Sequence, residues 1–301
     1  MAKNQAASVH QRLLNKAKQE KRPFLELLQY YAMERFLYRM ASTEYTEAFI
    51  LKGALLLKAS GIGQSRPTKD IDFLGQTTED IRELESIFSD CCAVELDDGL
   101  GFDANTVQGE EIREDQVYQG VRIKFTGKLG NAKISMQVDI GFGDAVTPGP
   151  VWIEYPTILD QEPPKLRGYP LETAIAEKYQ AMVALDMANS RMKDFYDIWF
   201  MSCSQHFTGR DLGEAIKSTF QRRKTELPQE VPTVLNPIFS NDADKITQWK
   251  AFRRKIKGAD VPEDLDEVIQ MLKGFLWPLT EMLHKNRKIT KVWTPEKGWD
   301  K

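Results

Sequence analysis

The chain is poor in the residues that build disulfide frameworks and zinc centres, with three cysteines and three histidines in 301 residues. Cys91 and Cys92 are adjacent and Cys203 stands alone, so no framework of bridges follows and a reducing cytoplasm is the expected location. His10, His206 and His284 are widely separated, which argues against a zinc site of His and Cys ligands. A strong excess of either charge is also missing. The net charge of −3 excludes a globally basic nucleic-acid binder but leaves local basic patches open. No apolar run approaches the length that spans a bilayer, so no membrane partner is expected. The opening stretch MAKNQAASVHQRLLNKAKQEKR is charged throughout and has no apolar segment of secretory length. There is no repeat at solenoid periods and no low-complexity tract. What remains is ordinary: 42% hydrophobic and 28% charged residues, enough for one large or two modest domains.

Hydrophobic spacing divides this material. Residues 9–40 have helical periodicity, interrupted near Pro23, with Leu25, Leu28, Ala32, Met33, Phe36 and Met40 as the apolar stripe. AFILKG (48–53) reads as a short buried strand, ALLLKAS (54–60) as a helix start, and GIGQSRPTK (61–69) as a loop. DIDFLG is a second strand, and residues 77–93 a helix with Thr78 as its expected cap. VRIKF and KISMQVDIGF alternate around the turn GKLGN, which predicts a hairpin within 120–144. Residues 145–168 form a connection with a short strand near 151–153, and the rest of the chain is helical in pattern. The expectation is an α+β half, 1–165, followed by an α-helical half, 166–301.

The stretch RPTKDIDFL carries the first chemical signal. Side chains two apart on a strand share a face, so Asp70 and Asp72 run parallel while Ile71 and Phe73 face the core. Two carboxylates this close are costly unless a cation sits between them, and Mg2+ prefers such oxygen ligands. A strand edge with two solvated acids would look the same in isolation. Asp139 adds weight, because it lies in an apolar strand pattern on the less apolar face formed with Ser135, Gln137 and Gly141. Upstream, Gly53 closes a strand and opens a helix, a place where backbone amides meet anions. Phosphate donors beside three carboxylates are the layout of phosphoryl or nucleotidyl transfer by two metals.

LKGALLL, RPTKDIDF and QVDIG resemble the nucleotidyltransferase core of the DNA polymerase β superfamily, a mixed sheet with helices. ETAIAEKYQAMV followed by RMKDFYDIW resembles more specifically the AbiEii/AbiGii toxin-type nucleotidyltransferases of bacterial toxin–antitoxin and abortive-infection systems. The likeness runs over residues 45–205. It implies that Asp70 and Asp72 hold Mg2+ with Asp139 as third acid, that Asp194 completes the catalytic set, and that two Mg2+ ions and an NTP co-substrate are used. It also implies nucleotide contacts from Gly53, Ala54, Arg66, Thr68, Lys178 and Arg191. The turn departs from the family's Gly-Gly or Gly-Ser pair, since Ala54 keeps the amide but lacks a hydroxyl.

The residues around the second motif allow two readings. Lys178 falls in a stripe with Ala174, Ile175, Met182 and Leu185, where a lysine either reaches for the surface or stands as a fixed charge in a cleft. Asp194 and Asp197 share a helix face, and Arg191 and Lys193 are placed to neutralise them as a structural cluster. Asp197 would sit behind the site. From residue 201 onward, 18 Lys and Arg face 14 Asp and Glu. The basic segments QRRK, KAFRRKIK and HKNRKITK have Trp249, Phe252 and Trp293 interleaved. Solvated helix faces explain each segment singly, while together they suit an RNA backbone with base stacking. The resemblance implies a tRNA acceptor, a cognate antitoxin and a role in phage defence. Modification of a protein or small molecule, or nucleotide binding without catalysis, are the alternatives.

Overall fold

The computed structural model describes residues 2–61, 67–114, 118–256 and 261–300. Internal contacts divide these residues into two compact units. The first holds residues up to 61, 68–143 and 151–168, and the second holds Pro67, 144–150 and 169–300.

In the first unit Pro23 lacks an N–H and begins a new helix rather than continuing the old one. It separates α1 (Ala2–Glu20) from α2 (Phe24–Ala41). There follow β1 (Phe49–Lys52), α3 (Gly53–Ala59), β2 (Ile71–Gly75), α4 (Ile81–Ala93), β3 (Leu100–Glu114), β4 (Tyr118–Leu129), β5 (Ala132–Phe142), β6 (Val151–Glu154) and β7 (Lys165–Gly168). The strands make one mixed seven-stranded sheet in the order β3-β4-β5-β2-β1-β7-β6. β2 runs parallel to β5 and β1 parallel to β7. The hairpin expected from alternation is β4 and β5, paired antiparallel through Leu129 and Ala132.

An aromatic cluster fixes α2 and α4 to the sheet. Phe36 of α2 stacks on Phe88 of α4 and contacts Phe102 of β3 and Phe125 of β4. Phe49 and Phe73, from β1 and β2, join the same cluster. Burying each ring contributes roughly 1.5–3 kcal/mol. A buried ion pair anchors the far end of α2, where Arg39 donates to both Asp98 oxygens at 2.7 and 3.1 Å. Because strand side chains alternate, the residues next to these phenylalanines project from the opposite face. Asp72 beside Phe73 is one of them.

Some expectations need correction. Leu25 is 73% exposed, and the buried stripe of α2 starts instead at Leu27 and Leu28. Asp80, not Thr78, caps α4, its Oδ1 accepting from the amides of Arg82 and Glu83 at 2.9 and 3.1 Å. Thr78 accepts from the Asp80 amide one step earlier. The long edge strand β3 was not expected. Its sequence LGFDANTVQGEEIRE is polar, as edge strands tend to be, and its pairing with β4 shifts register between Asp103 and Gln108.

The second unit contains α5 (Leu171–Leu185), α6 (Met192–Ser204), β8 (Phe207–Thr208), α7 (Gly209–Arg222), α8 (Pro237–Ser240), α9 (Ala243–Arg253), α10 (Leu265–His284), β9 (Val292–Thr294) and β10 (Gly298–Trp299). It is helical as its periodicity indicates, with one addition. The three short strands pair in the order β10-β9-β8, and Phe275, Trp293 and Trp299 pack together beside them. Strands of two or three residues have no period to read. Among the described residues no helix is long and apolar enough to cross a membrane.

Candidate active site

β2 and β5 lie side by side in parallel, and their register sets Asp72 directly against Asp139. Asp70 stands just before β2, on the same side as Asp72. Each of the three aspartates offers a carboxylate oxygen, and these oxygens all lie within 4.8 Å of one another. Asp70 and Asp72 are half-buried, whereas Asp139 is 7% exposed. Ile71 and Phe73 are fully buried on the other face. The D-x-D therefore presents its acids from a rigid strand whose alternate residues are locked in the core.

Neighbouring residues hold these acids closely. Gly53 has φ of +69°, and a Cβ added there would fall on the Asp72 carboxylate, 2.7 Å from its Cγ. Only glycine combines that conformation with that approach. Ala54 follows it, buried at the start of α3. Thr68 donates its hydroxyl to Oδ1 of Asp70. The Thr68 amide in turn donates to the hydroxyl of Tyr30, on α2, at 3.1 Å. Gln29, the preceding residue, donates to the Ser135 carbonyl at 3.2 Å, which ties α2 to β5. Arg66 lies outside the described residues.

Asp139 has partners that the sequence reading missed. Arg122 of β4 stands opposite it in the hairpin register and donates from Nε and Nη2 to its two oxygens, both at 2.8 Å. Gln137 donates to the same carboxylate at 3.3 Å. The carboxylate holds the Arg122 proton more firmly, raising its already high pKa. A signal for Arg122 existed in the sequence. Counting equally outward from the turn at Gly130 and Asn131 pairs position 122 with 139.

The acids of the second unit form a different arrangement. Asp194 and Asp197, both on α6, are fully buried. Lys178 of α5 reaches both, at 2.7 and 2.8 Å, and Nε of Arg191 lies 2.7 Å from the remaining Asp194 oxygen. Burial alone would raise the Asp194 pKa, but Lys178 and Arg191 outweigh it and hold the group at about 2. Lys178 and Arg191 supply the neutralising charge, and Lys193 is exposed.

A model of the family described as nucleotidyl transferase AbiEii toxin, type IV toxin–antitoxin system, matches residues 35–271. The chain belongs to this family. It is a nucleotidyltransferase toxin of a type IV toxin–antitoxin system, with an NTP as substrate and a cognate antitoxin. The match extends beyond the recognisable motifs, taking in the end of α2 and the first two turns of α10. The fold is similar to that of MenT4, the nucleotidyltransferase toxin Rv2826c from Mycobacterium tuberculosis H37Rv, with a TM-score of 0.51. That likeness has 14% identity and covers 94% of this chain and 99% of the other. JHP933 from Helicobacter pylori aligns at a TM-score of 0.48 and 18% identity, over 87% of this chain and 92% of its own. No curated protein matches the sequence.

For a family enzyme that uses a metal, the donor set is chemically suitable. Three hard carboxylate oxygens within one small volume fit a divalent cation such as Mg2+. The basic residues are less uniform than the sequence implied. Trp249 and Trp293 are buried, their indole N–H groups donating to the carbonyls of Pro262 and Ser202, so neither is free to stack on a base. Arg223 is taken up by both oxygens of Asp144, at 2.9 and 2.8 Å. Lys250, Arg253 and Arg254 instead line a cavity of about 370 Å3 with Ile256 and Val261.

Proposed function

We propose that this toxin transfers an NMP from an NTP to a hydroxyl of tRNA, with Asp70, Asp72 and Asp139 holding Mg2+. The observation that carries the reading is the convergence of three carboxylates on adjacent parallel strands. Mg2+ bound there, as one or two ions, would neutralise triphosphate charge and lower the pKa of the attacking hydroxyl. The protein's own part is positional. Gly53 lets the turn between β1 and α3 approach Asp72, and the Thr68 hydroxyl fixes Asp70. In the reaction the acceptor oxygen attacks the α-phosphate in line, a new P–O bond forms, and pyrophosphate leaves with the electrons of the bond that breaks. Holding these groups in register supplies most of the rate gain.

The resemblance assigns Arg66 to the triphosphate, Lys178 and Arg191 to the nucleotide, and Asp194 to the catalytic set. The ion pairs within the second unit favour a further role for the last three, which is to lock α5 against α6. The exposed Lys250, Arg254 and Lys255 and the basic cavity support an RNA acceptor, through phosphate contacts rather than stacking. Phage defence is the role such a toxin would serve in a cell.

The test is incubation of the protein with Mg2+, each α-labelled NTP and total tRNA. Label entering tRNA, and lost in Asp72→Asn, supports the proposal. Label entering protein or a small molecule instead would overturn the tRNA assignment. No transfer to any acceptor would overturn the proposed reaction.

A further inference from the structure

Asp139 is an unusual third acid, because both of its oxygens already accept bonds from a guanidinium. Arginine is not deprotonated in proteins, so Arg122 cannot leave by losing its charge. A bidentate pair of this geometry is also among the stronger charge-assisted bonds. Its burial helps, since Asp139 is 7% exposed and the Arg122 side chain 30%. Gln137 adds an amide on the same carboxylate. A divalent cation drawing on Asp139 meets a fixed positive charge on the very oxygens it needs.

We propose that Arg122 competes with the metal for Asp139 and thereby sets the affinity of the three-carboxylate site. Asp70 and Asp72 are the primary ligands, and Asp139 joins them only as the Arg122 fork is displaced. Arg122 is thus a positioning residue whose charge weakens metal binding. Without it the site would bind a divalent ion more tightly but would keep that ion when no nucleotide is present. The proposal rests on the reading of the triad as a metal site.

The experiment is direct Mn2+ binding to the purified full chain without nucleotide, followed by electron paramagnetic resonance of the free ion. Arg122→Met keeps the length of the side chain and removes its charge, and the expected Kd for Mn2+ falls about tenfold. Arg122→Lys, which keeps the charge without the fork, should fall between the two. The same Arg122→Met change is then made in an Asp139→Asn background, with folding of every variant checked by thermal melting. Competition at Asp139 predicts that the tenfold gain shrinks to about twofold there. An unchanged or weaker Mn2+ affinity in folded Arg122→Met or Arg122→Lys overturns the proposal. So does an equal gain in both backgrounds, which would mean a general field effect. Failure of the wild type to bind Mn2+ at all would overturn the metal reading itself, and the proposal with it.

Discussion

Two groups of aspartates in one chain solve the same electrostatic problem in opposite ways. Asp194 and Asp197 are sealed from water and compensated internally, with Lys178 and Arg191 within 2.8 Å. Asp70 and Asp72 are half-exposed and share a small volume with Asp139. Charge that is fully compensated and buried serves structure, because breaking such a pair leaves a stranded ion. Acids that crowd together at partial exposure store repulsion that a ligand can relieve. By this criterion Asp70, Asp72 and Asp139 suit the proposed reacting group and Asp194 with Asp197 a brace, although sequence motifs place both in one functional set.

Asp72→Asn is the substitution that should separate the two groups most widely. On the proposed reading, the variant weakens the hold on the cation whose positive charge would neutralise the transition state. Transfer should fall by about 10³-fold, at the upper end of what one electrostatic stabiliser contributes. Stability should change by no more than about 1 kcal/mol, because the group is half-exposed. Steady-state transfer rates and urea unfolding measure the two quantities on one preparation. A large loss of stability with little loss of rate would reverse the assignment.

Asp194→Asn should show the contrary pattern, a destabilisation of about 3–5 kcal/mol as Lys178 and Arg191 lose their buried partner. Acid titration of the wild type reads the same interaction. An aspartate held at about 2 in the folded protein, against 3.8 ordinarily, stabilises the fold fully above pH 4. That contribution, about 2 kcal/mol, declines as pH falls from 4 and is gone below about 2. Urea melts at pH 5, 4, 3 and 2 should therefore converge for wild type and variant as the pH drops. Parallel curves would mean that Asp194 contributes nothing through its charge.

The sequence disclosed these groups unequally. Asp70, Asp72 and Asp139 were legible because alternation fixes the face of a strand residue and the turn fixes the hairpin. Spacing also put Asp194 and Asp197 on one helix face, but the depth of their burial depends on the packing of α5 against α6. The same limit applied to Trp249 and Trp293, which look like stacking groups in a basic segment and prove to be core. β3 went unread because an edge strand needs no apolar face pattern. Arg122 was legible in principle, since hairpin arithmetic pairs it with Asp139, yet its strand reads first as a simple V-R-I-K-F alternation.

The smallest expected effect tests how the group around Asp70 is held. Tyr30 lies in the core of α2, is 3% exposed, and accepts the Thr68 amide at 3.1 Å. Thr68 in turn donates to Asp70. Tyr30→Phe keeps the ring and deletes the hydroxyl that accepts from Thr68, so its stability cost should be about 1 kcal/mol. If the Tyr30–Thr68–Asp70 sequence orients the first ligand, transfer should fall about tenfold and Mn2+ affinity should weaken with it. The acid unfolding step of Asp194 should stay where it is, because that residue draws its stability from Lys178 and Arg191. Full activity and Mn2+ affinity in Tyr30→Phe would mean that β2 alone orients Asp70. The brace would then need helix packing to place its acids, and the reacting group only the backbone of a strand.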